Sequence, residues 1–325
     1  MQRLSKKVWY VLGFAVSLGL LIMAFWEVNF TELADIVMAT DLRILVVVVF
    51  LNYSVIGIKG LRWKEIIGTT HRVAWVEVTL ASFIGYMASC ILPARGGEVV
   101  RVLVLGRRTG MSRTMLAGAL AVDHIVEGAG MVLIMLSLPF LLSTPVWMRT
   151  ATSVVGGVTI AAAIIGWLFI GAHHVDAVKW LPASWRPRVT ATAAKLSEGL
   201  ATLRNVPRLV YVMAIALVLW AVQAALLALC LYATGLSLSF AQVIFVLMAI
   251  NVAALIPGAP ASVGPFEFAA VLSLGSLGIS KTPALTAALL YHAVQVFPTI
   301  VAGLAALPLA GMRFRDLSLA KPTQS

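Results

Sequence analysis

Six stretches of this sequence, at about 8–26, 42–60, 114–138, 151–171, 208–233 and 283–309, stay apolar over the roughly 20 residues that a helix needs to cross a bilayer core of about 30 Å. Hydrocarbon offers no partner to a backbone N–H or C=O, so a continuous run of that kind must satisfy its own backbone as a helix. The expectation is an all-α polytopic membrane protein with about six full transmembrane helices. Composition agrees, with 61% hydrophobic and 11% charged residues and a mean hydropathy of +0.99. In so apolar a chain the net charge of +11 points to basic loops facing anionic headgroups rather than to nucleic acid. Arg3, Lys6 and Lys7 precede the first run as in a signal peptide, but the run is too long for one and no small-residue cleavage site follows, so it reads as a retained span. Cys90 and Cys230 lie inside apolar runs and read as small buried hydrophobes, not as a disulfide or a metal site.

Two further regions, 73–106 and 240–278, behave differently. Each holds an apolar helix-like run, a break rich in Pro and Gly that carries a Glu, and a second, shorter apolar run. They read as re-entrant or broken helical hairpins, tolerated at membrane depth where protein or a cavity satisfies the freed backbone groups; the alternative is two ordinary helices joined by a surface loop. Charge topology favours the hairpins. With a cytoplasmic N-terminus and each hairpin returning to the side it left, 21 Lys and Arg fall inside and three (Arg43, Arg149 and Lys281) outside, as the positive-inside rule requires. Removing Arg95 and Arg101, which sit in the first hairpin, leaves 19 against three.

The hairpins also belong to an internal repeat. Gly110-Met111-Ser112-Arg113-Thr114, with Asp123-His124 and Glu127 after it, aligns at an offset of 168 with Gly278-Ile279-Ser280-Lys281-Thr282, Tyr291-His292 and Gln295, and Pro93 aligns with Pro257 at 164. An odd number of spans separates the units, which inverts the second copy, and inverted repeats with discontinuous helices are the architecture of many secondary transporters. The organisation expected is one transmembrane domain over 1–312, with repeat A at about 42–171 and repeat B at about 208–309. A cytoplasmic connector at about 172–207, with an amphipathic helix near 188–204, joins them, and a short cytoplasmic tail, 313–325, follows. His173 and His174 fall in the connector without the further ligands a metal site needs.

Charges at membrane depth are costly and normally mark a pathway or a site. The first break, Leu92-Pro93-Ala94-Arg95-Gly96-Gly97-Glu98-Val99-Val100-Arg101, concentrates them. Glu98 and Arg101 are three apart and can pair on one helix face, while a free Arg beside a helix N-terminus suits phosphate or carboxylate. The second break has Glu267 and no base, so Glu267 must find a distant partner, bind a cation or be protonated. Asp123 and Glu127 share a face and, with His124, Tyr291, His292 and Gln295, could line a polar or proton-relaying path or bond helix to helix. The charges of the two breaks are expected to converge near the bilayer midplane, with the more basic first break favouring an anionic headgroup at its end. No nucleophile elbow, zinc-protease motif or phosphate-binding loop occurs, so no cofactor, metal or ATP-driven step is expected.

Arg62-Trp63, the first break through Arg101, Arg107-Arg108-Thr109-Gly110, Asp123 with Glu127, and Gly264-Pro265-Phe266-Glu267 together resemble the lysylphosphatidylglycerol synthase transmembrane family, the flippase-like domain, over about residues 5–312. The resemblance implies movement of a lipid between leaflets of a bacterial inner membrane, with Arg95, Glu98, Arg101 and Glu267 in the translocation path; Arg62, Asp123, Glu127 and His292 are the further candidate translocation residues. The sequence ends at Ser325 without the aminoacyl-transferase domain of the synthases, so synthesis of a lysyl-lipid is not expected of it, and its second break carries Pro257, Pro260 and Pro265 where the family tends to Gly. Family members differ in their lipid, so the substrate class stays broad: a phospholipid, a polyprenyl-phosphate-linked lipid or a hopanoid. A membrane-embedded enzyme acting on a polyprenyl-phosphate lipid is the alternative. A homo-oligomer and a lipid-modifying enzyme are the protein partners left open.

Overall fold

The computed structural model describes residues 2–92, 96–171, 182, 184–256 and 259–317. Among these the chain is all helix. Five helices are long and apolar enough to span a membrane: α3 (Leu42–Ile67), α6 (Arg113–Leu141), α7 (Val146–Gly171), α9 (Val206–Ala233) and α12 (Lys281–Leu309). The sixth expected span, 8–26, falls on a single helix that ends in a sharp bend. α1 (Gln2–Phe25) and α2 (Phe30–Ala39) meet at 85°, because Glu27 takes φ 61° and the Asn29 side chain caps a new helix by accepting from Thr31 N and Glu32 N.

Both irregular regions are helix–break–helix. α4 (Trp75–Ile91) and α5 (Gly96–Thr109) flank the first break, and α10 (Phe240–Ala253) and α11 (Pro265–Ser276) the second, which contains a short 3₁₀ turn at Pro260–Ser262. Pro93, Ala94, Arg95, Pro257 and Gly258 lie outside the described residues. Each pair folds back on itself as a hairpin. Close approach makes the first possible: a Cβ on Gly97 would meet Gly85 O at 2.0 Å and Ser89 Oγ at 2.2 Å, so α5 can lie on α4 only with glycine at that position. In each half the hairpin is followed by a long helix, giving α4–α5–α6 and then α10–α11–α12. α4 also packs along α12 and against the 260–262 turn, so the helix that ends at the first break touches the second.

The connector supplies α8 (Arg186–Leu200). It docks on α6 with Gly199 and Leu200 buried, and Thr202 just beyond it donates to Ile66 O at 3.1 Å, tying the connector to the end of α3. His173, His174 and Asp176 are outside the described residues. Two large apolar clusters fill the interior, one among α3, α6 and α9–α12 and the other among α3–α6, α9 and the end of α12. α7 turns Val154, Val158, Ile164, Ile165 and Leu168 outward. An apolar exterior of this kind is what a helix facing lipid requires, since lipid tails are as apolar as the side chains. The protein is a multi-pass membrane protein.

Candidate functional site

α3 brings in Lys59, Arg62 and Trp63, which fall within one turn and so point the same way. α6 answers with Asp123 and Glu127, one turn apart. Arg62, 0% exposed, donates from Nε to Asp123 Oδ1 at 2.7 Å and from Nη2 to Glu127 Oε2 at 2.9 Å. Lys59 Nζ lies 3.1 Å from Glu127 Oε1. From the far side of the first break, Arg101 on α5 donates from Nη1 to Asp123 Oδ2 at 3.4 Å. Its guanidinium lies over the Trp63 ring at 4.0 Å and within 5.7 Å of the Tyr86 ring of α4; Lys59 sits 5.2 Å from the same Tyr86 ring.

Three cations thus meet two carboxylates in the interior of an apolar bundle, leaving a formal excess of one positive charge among the described residues. The donors are not used up. Arg62 Nη1 and Arg101 Nε and Nη2 are buried with no acceptor among the described residues. Guanidinium forks of this kind match the oxygens of a phosphate or carboxylate. Stacking on Trp63 and Tyr86 holds Arg101 in place by cation–π contact while leaving its edge available.

The two breaks carry a shared device. Glu98 is the third residue of α5 and His124 the twelfth of α6; Glu267 is the third residue of α11 and His292 the twelfth of α12. His124 Nε2 is 3.0 Å from Glu98 Oε2, and His292 Nδ1 is 2.5 Å from Glu267 Oε1. The environments differ. The first pair is half-exposed, whereas Glu267 and His292 are 2% and 7% exposed. Glu267 Oε2 also accepts from Gly264 N at 2.7 Å, His292 Nε2 reaches Ala261 O at 2.9 Å, and the Phe266 ring stacks on His292 at 4.1 Å.

The structure therefore sorts the predicted residues into groups. Arg62, Arg101 and Asp123 form one buried cluster, to which the partly exposed Glu127 belongs; Glu98 pairs with His124 beside it; Glu267 and His292 form a separate buried pair with no ion pair to the cluster among the described residues. Arg95 lies outside the described residues. Arg101 turns to Asp123 rather than to its helix neighbour Glu98. Sequence reasoning missed Lys59, Trp63 and Tyr86. Lys59 could have been found from its position one turn before Arg62, but the aromatic pair only acquires meaning once α4 and α5 are folded together. Among the described residues no three His, Cys, Asp or Glu gather to hold a metal.

Away from the spans, Arg108 at the end of α5 grips Glu77 at the start of α4, with Nη2 2.9 Å from Oε1 and Nε also bonded to the carboxylate. That hydrogen bonding holds the Glu77 carboxyl below the usual carboxylate range. The open ends of the hairpin are thereby clipped opposite the break.

The family model described as "Lysylphosphatidylglycerol synthase TM region" matches residues 10–303, which take in every element of both halves up to the last turns of α12. No curated protein matches the chain.

Proposed function

Because the chain belongs to the lysylphosphatidylglycerol synthase transmembrane family, we propose that it carries an anionic or modified lipid between the leaflets of a bacterial inner membrane, with the Lys59–Arg62–Arg101 cluster receiving the headgroup. The lipid is a phospholipid, a polyprenyl-phosphate-linked lipid or a hopanoid. The observation that carries this reading is the excess of buried cation around Asp123 and Glu127, with guanidinium donors of Arg62 and Arg101 left unspent. Burying charge without a matching partner is expensive, and such groups in membrane bundles mark the path of an ion or a polar headgroup. The first break lies beside the cluster on the same hairpin, so opening of that hairpin would bring a headgroup to Arg101.

In this reading the halves are inverted copies whose hairpins open to opposite faces, and the termini are cytoplasmic. What supports it is the recurrence of hairpin plus long helix and of the Glu–His pair at matching helix positions, together with the charge distribution.

The test is reconstitution into liposomes holding phosphatidylglycerol with a fluorescent acyl chain, read by quenching from outside and by mass spectrometry. The expected result is protein-dependent loss of the protected inner-leaflet signal with lipid mass unchanged. Arg101→Gln should slow it by roughly tenfold or more, as removal of one charge-assisted contact predicts. A new lipid mass would establish the enzyme alternative. A variant as fast as the wild type would remove Arg101 from the path.

A further inference from the structure

The pair Glu267–His292 is constrained in a way that Glu98–His124 is not. A neutral imidazole has one N–H and one bare nitrogen. His124 uses one nitrogen toward Glu98, so its neutral form suffices. His292 faces an acceptor with both: Nε2 the carbonyl of Ala261, Nδ1 the carboxyl of Glu267. Glu267 Oε2 meanwhile accepts from Gly264 N. Both contacts of His292 can exist only if one further proton lies between Nδ1 and Oε1, as imidazolium with carboxylate or as imidazole with carboxylic acid. The pair in this structure then carries no net charge. When that proton leaves to water the pair becomes an anion, and one of the two contacts must fail. Either Nδ1 faces Oε1 lone pair to lone pair, or the remaining proton moves to Nδ1 and Nε2 faces the carbonyl of Ala261.

The segment fastened by these contacts is under tension. Ala261 and Ser262 sit at φ 55° and 60° and Gly264 at 96°, left-handed backbone that persists in non-glycine residues only when surrounding contacts enforce it. Its other anchors among the described residues are α4, which packs against the 260–262 turn, and Ser17 on α1, which accepts from Ala259 N at 2.9 Å and whose O lies where a Cβ on Gly264 would be.

We propose that Glu267 and His292 form a single-proton binding site that fastens residues 259–264 onto α11 and α12, and that loss of the proton releases this segment. Among the described residues no other charged side chain is bonded to the pair. Phe266 covers the imidazole, and α10 and residues 13–25 of α1 carry no titratable side chain. α12 itself adds Tyr291, near Cys230 of α9. α4 carries Glu77, which is held by Arg108, Tyr86, which lies against Lys59 and Arg101, and Cys90. α3 turns the neutral Asn52 toward Gln295 and Thr299 on α12, and its Lys59 and Arg62 are engaged with Glu127 and Asp123. The acids of α2, Glu32 and Asp35, are exposed. For a lipid carrier, and so resting on the proposed function, such a site lets a proton gradient bias the second hairpin.

Hydrogen exchange in lipid nanodiscs tests the site without any lipid movement, so a negative transport assay would leave this result standing and the reverse. The amides to follow are those of Ser262, Val263 and Gly264, whose acceptors are Ala259 O, Pro260 O and Glu267 Oε2, measured at about pH 5 and about pH 9, on either side of the ordinary imidazole range, and corrected for intrinsic rates. The wild type should lose roughly tenfold or more of its protection at the higher pH, the effect of one charged hydrogen bond. Glu267→Gln is the decisive variant, because its amide can accept from Gly264 N and donate to Nδ1 of neutral His292 with no added proton; it should stay protected at both values. His292→Phe should be unprotected at both, with α9 amides reporting that the bundle is still folded. Unchanged protection in the wild type, or a Glu267→Gln variant that loses protection alongside it, overturns the proposal.

Discussion

Asp123 is the residue on which the buried cluster depends. Its two oxygens face two different guanidinium groups, and it is 1% exposed. Replacing it with Asn keeps the shape but leaves Arg62 and Arg101 with one acceptor group fewer and the local excess of charge doubled. Breaking a buried pair from one side costs about 3–5 kcal/mol. Asp123→Asn should therefore lower the thermal unfolding midpoint in detergent clearly, whereas Glu98→Gln, at a half-exposed pair, should shift it little; equal shifts would show that the cluster does not support the fold. The participants were legible in the sequence because charge is rare in these apolar runs, so Arg62, Arg101, Asp123 and Glu127 stand out. Who pairs with whom was not. Helix spacing offered Glu98 to Arg101, but the fold places Asp123 of another helix closer, and spacing along one chain says nothing of contacts between chain segments far apart in sequence.

The elements were legible wherever punctuation was strong. Pro and Gly marked both breaks, and each long run fell on a long helix, with ends that differ by up to seven residues at Ile67 of α3. α2 was not found, since its ten residues are too few for a span and its start is signalled only by Asn29 three places before Glu32. Sequence also gives no measure of how close two helices come. The Gly97 contact does: it lets α5 settle on α4 and brings Arg101 over Trp63. Gly97→Ala forces a side chain into backbone atoms of Gly85 and Ser89. Overpacking of this kind costs about 1–3 kcal/mol or more. The control is Gly157→Ala on α7, where nothing lies within 4 Å and the change should be neutral or stabilising by up to about 1 kcal/mol. If both variants melt alike, the close approach of α4 and α5 is not what the first hairpin depends on.

At the scale of the molecule, the repeat and the charge asymmetry make a claim about sidedness. On the proposed topology Thr70, in the turn after α3, falls on the basic, cytoplasmic side, and Ser143, exposed in the turn before α7, on the opposite side. In a background lacking Cys90 and Cys230, Thr70→Cys should react with a membrane-impermeant maleimide only in inside-out vesicles and Ser143→Cys only in right-side-out cells. The reverse pattern, or labelling of both from one side, would refute the topology. The proposed repeat rests in sequence on matched motifs, and in the fold on two Glu–His pairs at equivalent helix positions, one half-exposed and one buried. The connector helix is expected from its pattern near 188–204, and the fold docks it on α6, a partner that its amphipathic pattern alone does not name.

α4 ends at one break and rests against the turn of the other. In the proposed carrier, a wall common to two doors would restrict how they swing: displacing α4 to admit a headgroup from one leaflet would also disturb the seat of the 260–262 turn, proposed to close toward the other. A carrier arranged in this way can exchange lipid between leaflets while never presenting a continuous wet channel, and so without draining the ion gradients that the surrounding membrane exists to hold.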